Sequence, residues 1–381
     1  MSVAVVHPSL NRGGGAEKVC LTVIRALRGR GYRVRLATID RTDWRFLEER
    51  FGDLPRPSEE EFLIGSMPIR GKFSQAALTL SLFLPELFYQ RMKNDCDLIL
   101  NTYGELVDSV ADISYVNAIP VRVVHHYPES GFSNSIVLRS IAQAYGFSLR
   151  TVDRLFRSNI LLTNSTFMQG IVRRHLERDS LVVYPPVDVE RFKRVASFAD
   201  RENVVATVSR LRLGKNLGLI PRMARLVKRG EFTILGLADG ASQEAIEALT
   251  KGIGSLGAGD RVRLLINQPP QKLVDVLASA KVFLHTQPME AFGMAVVEAM
   301  AAGCVPVVPR EGGPWLDILD GRQGEFGYSY GSLGEAADMI EMLLEDEDLR
   351  KEVSARASER AMAFDSSVFE GKILSVVDNA L

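Results

Sequence analysis

Two glutamates stand eight residues apart around an apolar run in "PMEAFGMAVVEAM", residues 288–300. A strand-like segment, "KVFLHT" (281–286), feeds this stretch, and the apolar spacing predicts a helix from about Phe292 to Ala302. Glu290 then lies just before the helix, beside its unbonded N–H groups, while Glu298 projects from well inside it. An acid on an otherwise apolar helix is costly to bury alone, so Glu298 needs hydroxyl or cationic partners. Sugar hydroxyls satisfy that need, and so does one ion pair. Complementarity to the helix dipole also accounts for Glu290.

Two cations, Arg210 and Lys215, occur in "SRLRLGKN" (209–216) at the carboxyl end of a predicted strand, where open α/β sheets bind ligands. The pair suits a diphosphate leaving group, although solvated loop charges have the same pattern. A third cluster, "NRGGGAEKV" (11–19), places Gly14 and Gly15 between a strand and a helix opening. Glycines admit a ligand close to the backbone, and the N–H groups of a helix start favour an anion such as phosphate. A plain tight turn has the same composition. The cluster fits neither GxGxxG, because Lys18 stands at the third glycine position, nor GxxxxGK[ST].

Among the histidines, His125 and His126 end a predicted strand in "VVHHYPES", on the rim where catalytic groups sit. His175 falls on an exposed helix face, and His7 and His285 read equally well as satisfied structural histidines. No histidine pair has metal-ligand spacing. "DCD" (95–97) mimics a metal-binding DxD but leads into a strand, which favours a structural role.

Positioning these groups requires strands that end at one rim. "SVAVVHP" (2–8), "YRVRLATID" (32–40), "DLILNTYG" (97–104), "VRVVHHYP" (121–128) and "NILLTNS" (159–165) alternate with helical stretches, which indicates a parallel doubly wound sheet. "VVYPPVDVERF" (182–192) carries two prolines and reads as a stiff extended linker. The alternation then restarts: "NVVATVSR" (203–210), a helix from about 215, "EFTILG" (231–236), "RVRLLI" (261–266), "KVFLHT" and "CVPVVP" (304–309), followed by helices from 331 onward. The expected fold is α/β with two Rossmann-like doubly wound domains, 1–186 and 187–362, facing a cleft. A final helix, 363–381, is expected to pack back on the first domain.

At 381 residues the chain is long enough for two cores, and 46% apolar with 24% charged residues is a globular composition. A formal net charge of −1, from 46 basic and 47 acidic residues, provides no field for nucleic acid. The three dispersed cysteines read as buried thiols without disulfides. With no signal-peptide pattern and no uncharged membrane-length run, a cytoplasmic protein is expected.

Glu290, Phe292, Gly293 and Glu298 in "EAFGMAVVEAMAAGCVPVVPREGG" together resemble the E-x-F-G-x-x-x-x-E motif of the retaining glycosyltransferases of family four, whose architecture is termed GT-B. "SRL…K" and the first-loop glycines stand in that family's places. Within it, "HP…GGG-E" (7–17), "NTYG" (101–104), "HYP" (126–128), "NS-F" (164–167), "VVYPPVDV" (182–189) and "GGP-LDI" (312–318) are similar to the branch of α-1,2-mannosyltransferases that extend dolichol-linked oligosaccharides. One departure is Ala291, which stands where a histidine commonly follows the first glutamate.

The resemblance implies a nucleotide-sugar donor, GDP-mannose, held mainly by the second domain, and a glycan or polyprenyl- or dolichyl-linked glycan acceptor held mainly by the first. It implies that Arg210 and Lys215 stabilise the departing diphosphate, helped by amides of Gly14, Gly15 and the Phe292–Gly293–Met294 turn. Glu298 takes the ribose hydroxyls, Glu290 takes hydroxyls of the transferred sugar, and His126 lies at the reacting face. Configuration is retained, and neither metal nor cofactor is required. Residues 135–159 mix apolar groups with arginines, as peripheral membrane helices do, and residues 73–93 are another apolar candidate, broken by Pro85, although core-facing helices also show this pattern. An epimerase or hydrolase on the same architecture, or a sugar-nucleotide-binding protein without turnover, is the alternative.

Overall fold

The computed structural model describes residues 1–62, 91–102, 104, 111–118, 160–194 and 201–381. The chain divides into two compact units that meet in sequence at Pro186 and Val187, and Ser366–Leu381 belongs to the first of them. In the first unit the strands are β1 (Ser2–Val6), β2 (Arg33–Thr38), β3 (Glu59–Phe62), β4 (Leu98–Asn101), β5 (Ile113–Val116), β6 (Ile160–Thr163) and β7 (Leu181–Val182). They form one sheet in the order β3-β2-β1-β4-β5-β6-β7. The pairings are parallel, with Val3 opposite Val34 and Leu98. Helices α1 (Gly15–Gly29), α2 (Trp44–Phe51) and α3 (Thr166–Leu176) complete the described part.

The second unit repeats the plan. Its strands are β8 (Glu202–Arg210), β9 (Glu231–Leu237), β10 (Val262–Ile266), β11 (Ala280–Leu284), β12 (Val305–Pro309) and β13 (Tyr328–Tyr330). They pair in parallel in the order β10-β9-β8-β11-β12-β13. The accompanying helices are α4 (Val189–Lys193), α5 (Leu219–Leu226), α6 (Gln243–Ser255), α7 (Pro270–Ser279), α8 (Met294–Ala301), α9 (Leu333–Glu345) and α10 (Glu347–Ala361). Helix α11 (Ser366–Ala380) then returns to the first unit and packs on α1.

Strands covered on both faces need continuous apolar runs, which is why "LILN" of β4 and "VPVVP" of β12 are buried throughout. In each sheet the order of strands reverses beside the first strand of the unit, between β1 and β4 and between β8 and β11. Crevices outside the carboxyl ends at such switch points are where doubly wound sheets bind ligands.

Three local expectations are corrected. The helix expected from about 215 is a single tight turn, Leu213–Lys215, closed by Asn216 in the left-handed region (φ 55°); the α-helix starts at Leu219. The proline stretch is extended only as far as Asp188, because Val189–Lys193 coils into α4 and packs on α8. Helix α8 begins at Met294 rather than Phe292, since Gly293 at its N-cap has φ 99°. The strand expected at 121–128 lies outside the described residues.

Candidate active site

In the second unit, β8 and β11 are neighbours at the switch point, and the residues that follow them meet. Lys215 Nζ donates to Glu290 Oε2 at 2.7 Å, although the two residues are 75 positions apart. Both side chains are about one-fifth exposed, 20% for Lys215 and 19% for Glu290, so the pair is reachable yet shielded. A second tie joins the loops, from Thr286 Oγ1 to the Lys215 carbonyl at 2.7 Å. Burial alone would raise the Glu290 carboxyl, but Lys215 first, then His285 and Arg210, bring it down to about 2. Arg210, the exposed last residue of β8, contributes through its charge.

His285 follows β11 directly. Its N–H donates to the Val307 carbonyl at 2.9 Å, and its own carbonyl accepts from the Tyr330 hydroxyl at 2.9 Å, which fixes the backbone. Its ring Nε2 lies 3.9 Å from Glu290 Oε2. Burial lowers the imidazole to about 4, against the opposing pull of Glu290, so the ring is neutral at physiological pH. Lys215 is therefore the partner that keeps Glu290 charged there.

The loop carrying Glu290 is shaped by glycines on the next strand's exit. Gly313 N–H donates to the Glu290 carbonyl at 2.8 Å, and Gly312 adopts φ 78°. A Cβ at Gly312 would lie 2.7 Å from the Glu290 carbonyl oxygen, and one at Gly313 would lie 2.3 Å from the Ala291 carbonyl oxygen. Only two glycines allow this approach. Phe292 is buried rather than presented, stacking edge-on against Phe364 with ring centroids 5.4 Å apart. Glu298 is half-buried and shares a helix face with Met294 and Ala295, also half-buried, so its side chain leans back toward the first turn of α8. That first turn, from Met294 on, carries N–H groups the helix itself does not use.

The family profile described as "Glycosyl transferases group 1" matches residues 188–360. Residues 188–360 are a group 1 glycosyl transferase domain. Over nearly the whole chain, two relatives carry the name GDP-Man:Man(3)GlcNAc(2)-PP-Dol alpha-1,2-mannosyltransferase. The Caenorhabditis elegans protein is 27% identical, covering 97% of this chain and 89% of its own, and the Homo sapiens protein is 25% identical, covering 99% and 87%. Among solved structures, Anabaena Alr3699/HepE in complex with UDP and glucose superposes with a TM-score of 0.74 over 100% of both chains at 19% identity. WaaG, a glycosyltransferase involved in lipopolysaccharide biosynthesis, superposes with a TM-score of 0.70 at 14% identity, over 98% of this chain and 99% of its own. Both likenesses bear on the fold, two parallel-sheet α/β domains of the GT-B type.

In the first unit of this glycosyltransferase the glycine loop opens α1. Gly13 has φ 58°, and a Cβ on it would lie 2.7 Å from Arg50 Cδ. The Gly14 N–H donates to Glu17 Oε2 at 2.7 Å. That amide, expected to meet a ligand anion, is engaged here by Glu17 three residues on, as the glutamate of a capping box engages the N-cap N–H. Gly15, as the first helical residue, retains an N–H the helix does not use. Glu17 in turn approaches His7 Nε2 at 3.8 Å, and His7 Nδ1 lies 2.9 Å from Thr102 Oγ1. Burial raises the Glu17 carboxyl, and His7 together with the Gly14 amide more than reverses it.

His126 and residues 135–159 lie outside the described residues, as do most of residues 73–93. Asp97 accepts from the Ser2 N–H at 2.7 Å, and Asp95 pairs with Arg35 at 3.1 Å, so both acids of "DCD" are engaged in the fold. Among the described residues, no cluster of three His, Cys, Asp or Glu side chains could hold a metal, and no helix is long and apolar enough to cross a membrane. Sequence reasoning missed His285 and the two glycines as parts of this loop cluster. Adjacent glycines directly after a strand were the available signal for the latter.

Proposed function

We propose that the protein is a retaining glycosyltransferase that moves mannose from GDP-mannose to a polyprenyl- or dolichyl-linked glycan, forming an α-linkage. The observation that carries the reading is the Lys215–Glu290 pair at the switch point of a group 1 glycosyl transferase domain. The names of the relatives supply the sugar, the nucleotide and the lipid-linked acceptor. In transfer, the bond between the anomeric carbon and the diphosphate oxygen breaks, and its electron pair leaves with the nucleoside diphosphate. The acceptor hydroxyl bonds to the same face of that carbon, and its proton passes to a phosphate oxygen.

Lys215 has three N–H donors; one is held by Glu290, which leaves two for the phosphates. Arg210 adds charge at the strand end, and the amides around Gly293 and Met294 add fixed donors. Each such donor is worth about 3–4 kcal/mol to the departing charge, by analogy with an oxyanion-hole donor. Glu290 holds hydroxyls of the transferred sugar, Glu298 holds the ribose, His126 lies at the reacting face, and the Gly15 amide adds a donor to the diphosphate. No metal is needed, since cations and amides already offset the leaving-group charge. A lipid-linked acceptor places the work at the cytosolic surface of a membrane, with the protein bound peripherally.

A donor panel tests this: GDP-mannose against UDP-hexoses, each with polyprenyl- and dolichyl-linked glycans. Turnover with GDP-mannose and an α-linked product is expected. Donor consumption without any acceptor would point to a hydrolase or epimerase, and binding without turnover to a non-catalytic protein. Activity is expected to persist in a strong chelator; a complete loss that magnesium restores overturns the metal-free scheme.

A further inference from the structure

Resting on the reading of Glu290 as a holder of sugar hydroxyls, we propose that His285 is a second sugar-reading residue. Its Nε2 accepts the proton of the hydroxyl adjacent to the one that Glu290 takes. The geometry behind this is a pair of acceptors facing each other. His285 is 8% exposed, and its Nε2 has no hydrogen-bond partner among the described residues. Buried polar atoms left in that state are rare and costly, and one aimed into a ligand site marks a place where a ligand group belongs.

The chemistry of the ring defines that group. Buried and neutral, the ring carries one N–H and one bare lone pair, and with the N–H on Nδ1 the bare lone pair stands at Nε2. Across from it, 3.9 Å away, stands Glu290 Oε2, an ionised acceptor whose bond from Lys215 leaves further lone-pair capacity. At 3.9 Å the two cannot bond to each other. What completes both is a ligand offering two O–H donors at short spacing, and neighbouring hydroxyls on a hexose ring are such a pair. The backbone of His285 is fixed on both sides, by Val307 and by the Tyr330 hydroxyl, so Nε2 is held in place before any ligand arrives.

The test is a cycle between the residue and the donor. GDP-mannose and its analogues lacking one ring hydroxyl at a time are assayed with wild type, His285→Phe and His285→Gln. Removing the critical hydroxyl, or the acceptor through His285→Phe, is expected to lower kcat/KM about ten- to a hundredfold each. Combining the two should cost no more than either alone. His285→Gln, whose Oε1 keeps an acceptor near the same place, should recover part of the loss and keeps the test decisive if the Phe variant does not fold. Affinity for GDP, which lacks the transferred hexose, should be unchanged, whereas a purely structural role would lower it as well. Independent, multiplying losses for every deoxy donor overturn the assignment, as does wild-type turnover by both variants. If wild type transfers no hexose from any donor, the functional reading itself falls; if it transfers and the losses multiply, only the role of His285 does.

Discussion

Lys215 decides the charge of Glu290, and that has a measurable signature. The carboxyl sits at about 2 against an ordinary 4.5, with burial opposing the shift and Lys215 the largest force behind it. A carboxyl depressed on folding stabilises the protein fully above its unfolded value, and that contribution fades as pH falls from about 4.5 toward about 2. The difference corresponds to about 3 kcal/mol at neutral pH. Lys215→Met removes the largest force opposing burial, so the Glu290 carboxyl should rise well above its wild-type value in a carbon-13 titration. Stability should drop by about 2–3 kcal/mol at pH 7 and by much less near pH 2. A Glu290 titration that stays where it is would remove Lys215 as the cause. Both residues were legible from their types and their places after strands, but their bond was not. Nothing in a 75-residue separation announces contact until the order β9-β8-β11 brings the two loops together. His285 read as a satisfied structural histidine for a related reason, since an orphaned ring nitrogen is a property of the packing around it.

At the scale of elements, the site depends on how closely the β12 exit approaches the β11 exit. Gly313 is the tightest point, where a Cβ would meet the Ala291 carbonyl oxygen at 2.3 Å and the Phe292 Cα at 2.7 Å, backbone atoms that cannot rotate away. Gly313→Ala should therefore push the Glu290 loop outward, lowering stability by about 1–3 kcal/mol and transfer by more than tenfold. Melting curves and kcat/KM read this together, and a variant equal to wild type in both would show that the loop has room. The central strands were legible because burial on both faces demands unbroken apolar runs, as in β4 and β12. β3 was not, because "EEEF" is polar and its glutamates pair with arginines, as Glu59 does with Arg33 and Arg35 on β2. β7 and β13 run for only 2 and 3 residues, too short for alternation to register. The missed start of α5 follows from Asn216, whose left-handed turn ends one helical turn and delays the next.

For the whole molecule, chain order and spatial order diverge at the end of the sequence. After Asp365 the chain leaves the second unit, and α11 joins the core of the first, burying Phe369, Ile373 and Val377 with 1% or less exposed. Phe369 meets the Tyr115 ring edge-on at 5.9 Å, while Arg25–Glu370 and Arg30–Asp378 pair along the rim with α1. Burying three such side chains contributes about 5–9 kcal/mol, as much as the entire net stability of many domains. Deleting residues 366–381 should therefore unfold the first unit, which begins at Met1, and leave the adjacent second unit intact. Hydrogen exchange resolves the two outcomes: β1, β2 and β4 should lose protection while β8, β9 and β11 keep theirs. GDP binding should survive the deletion, because Lys215, Glu290 and Glu298 all belong to the unit that stays folded. If protection falls equally in both units, the two fold as one cooperative body, and the division of labour between them is wrong.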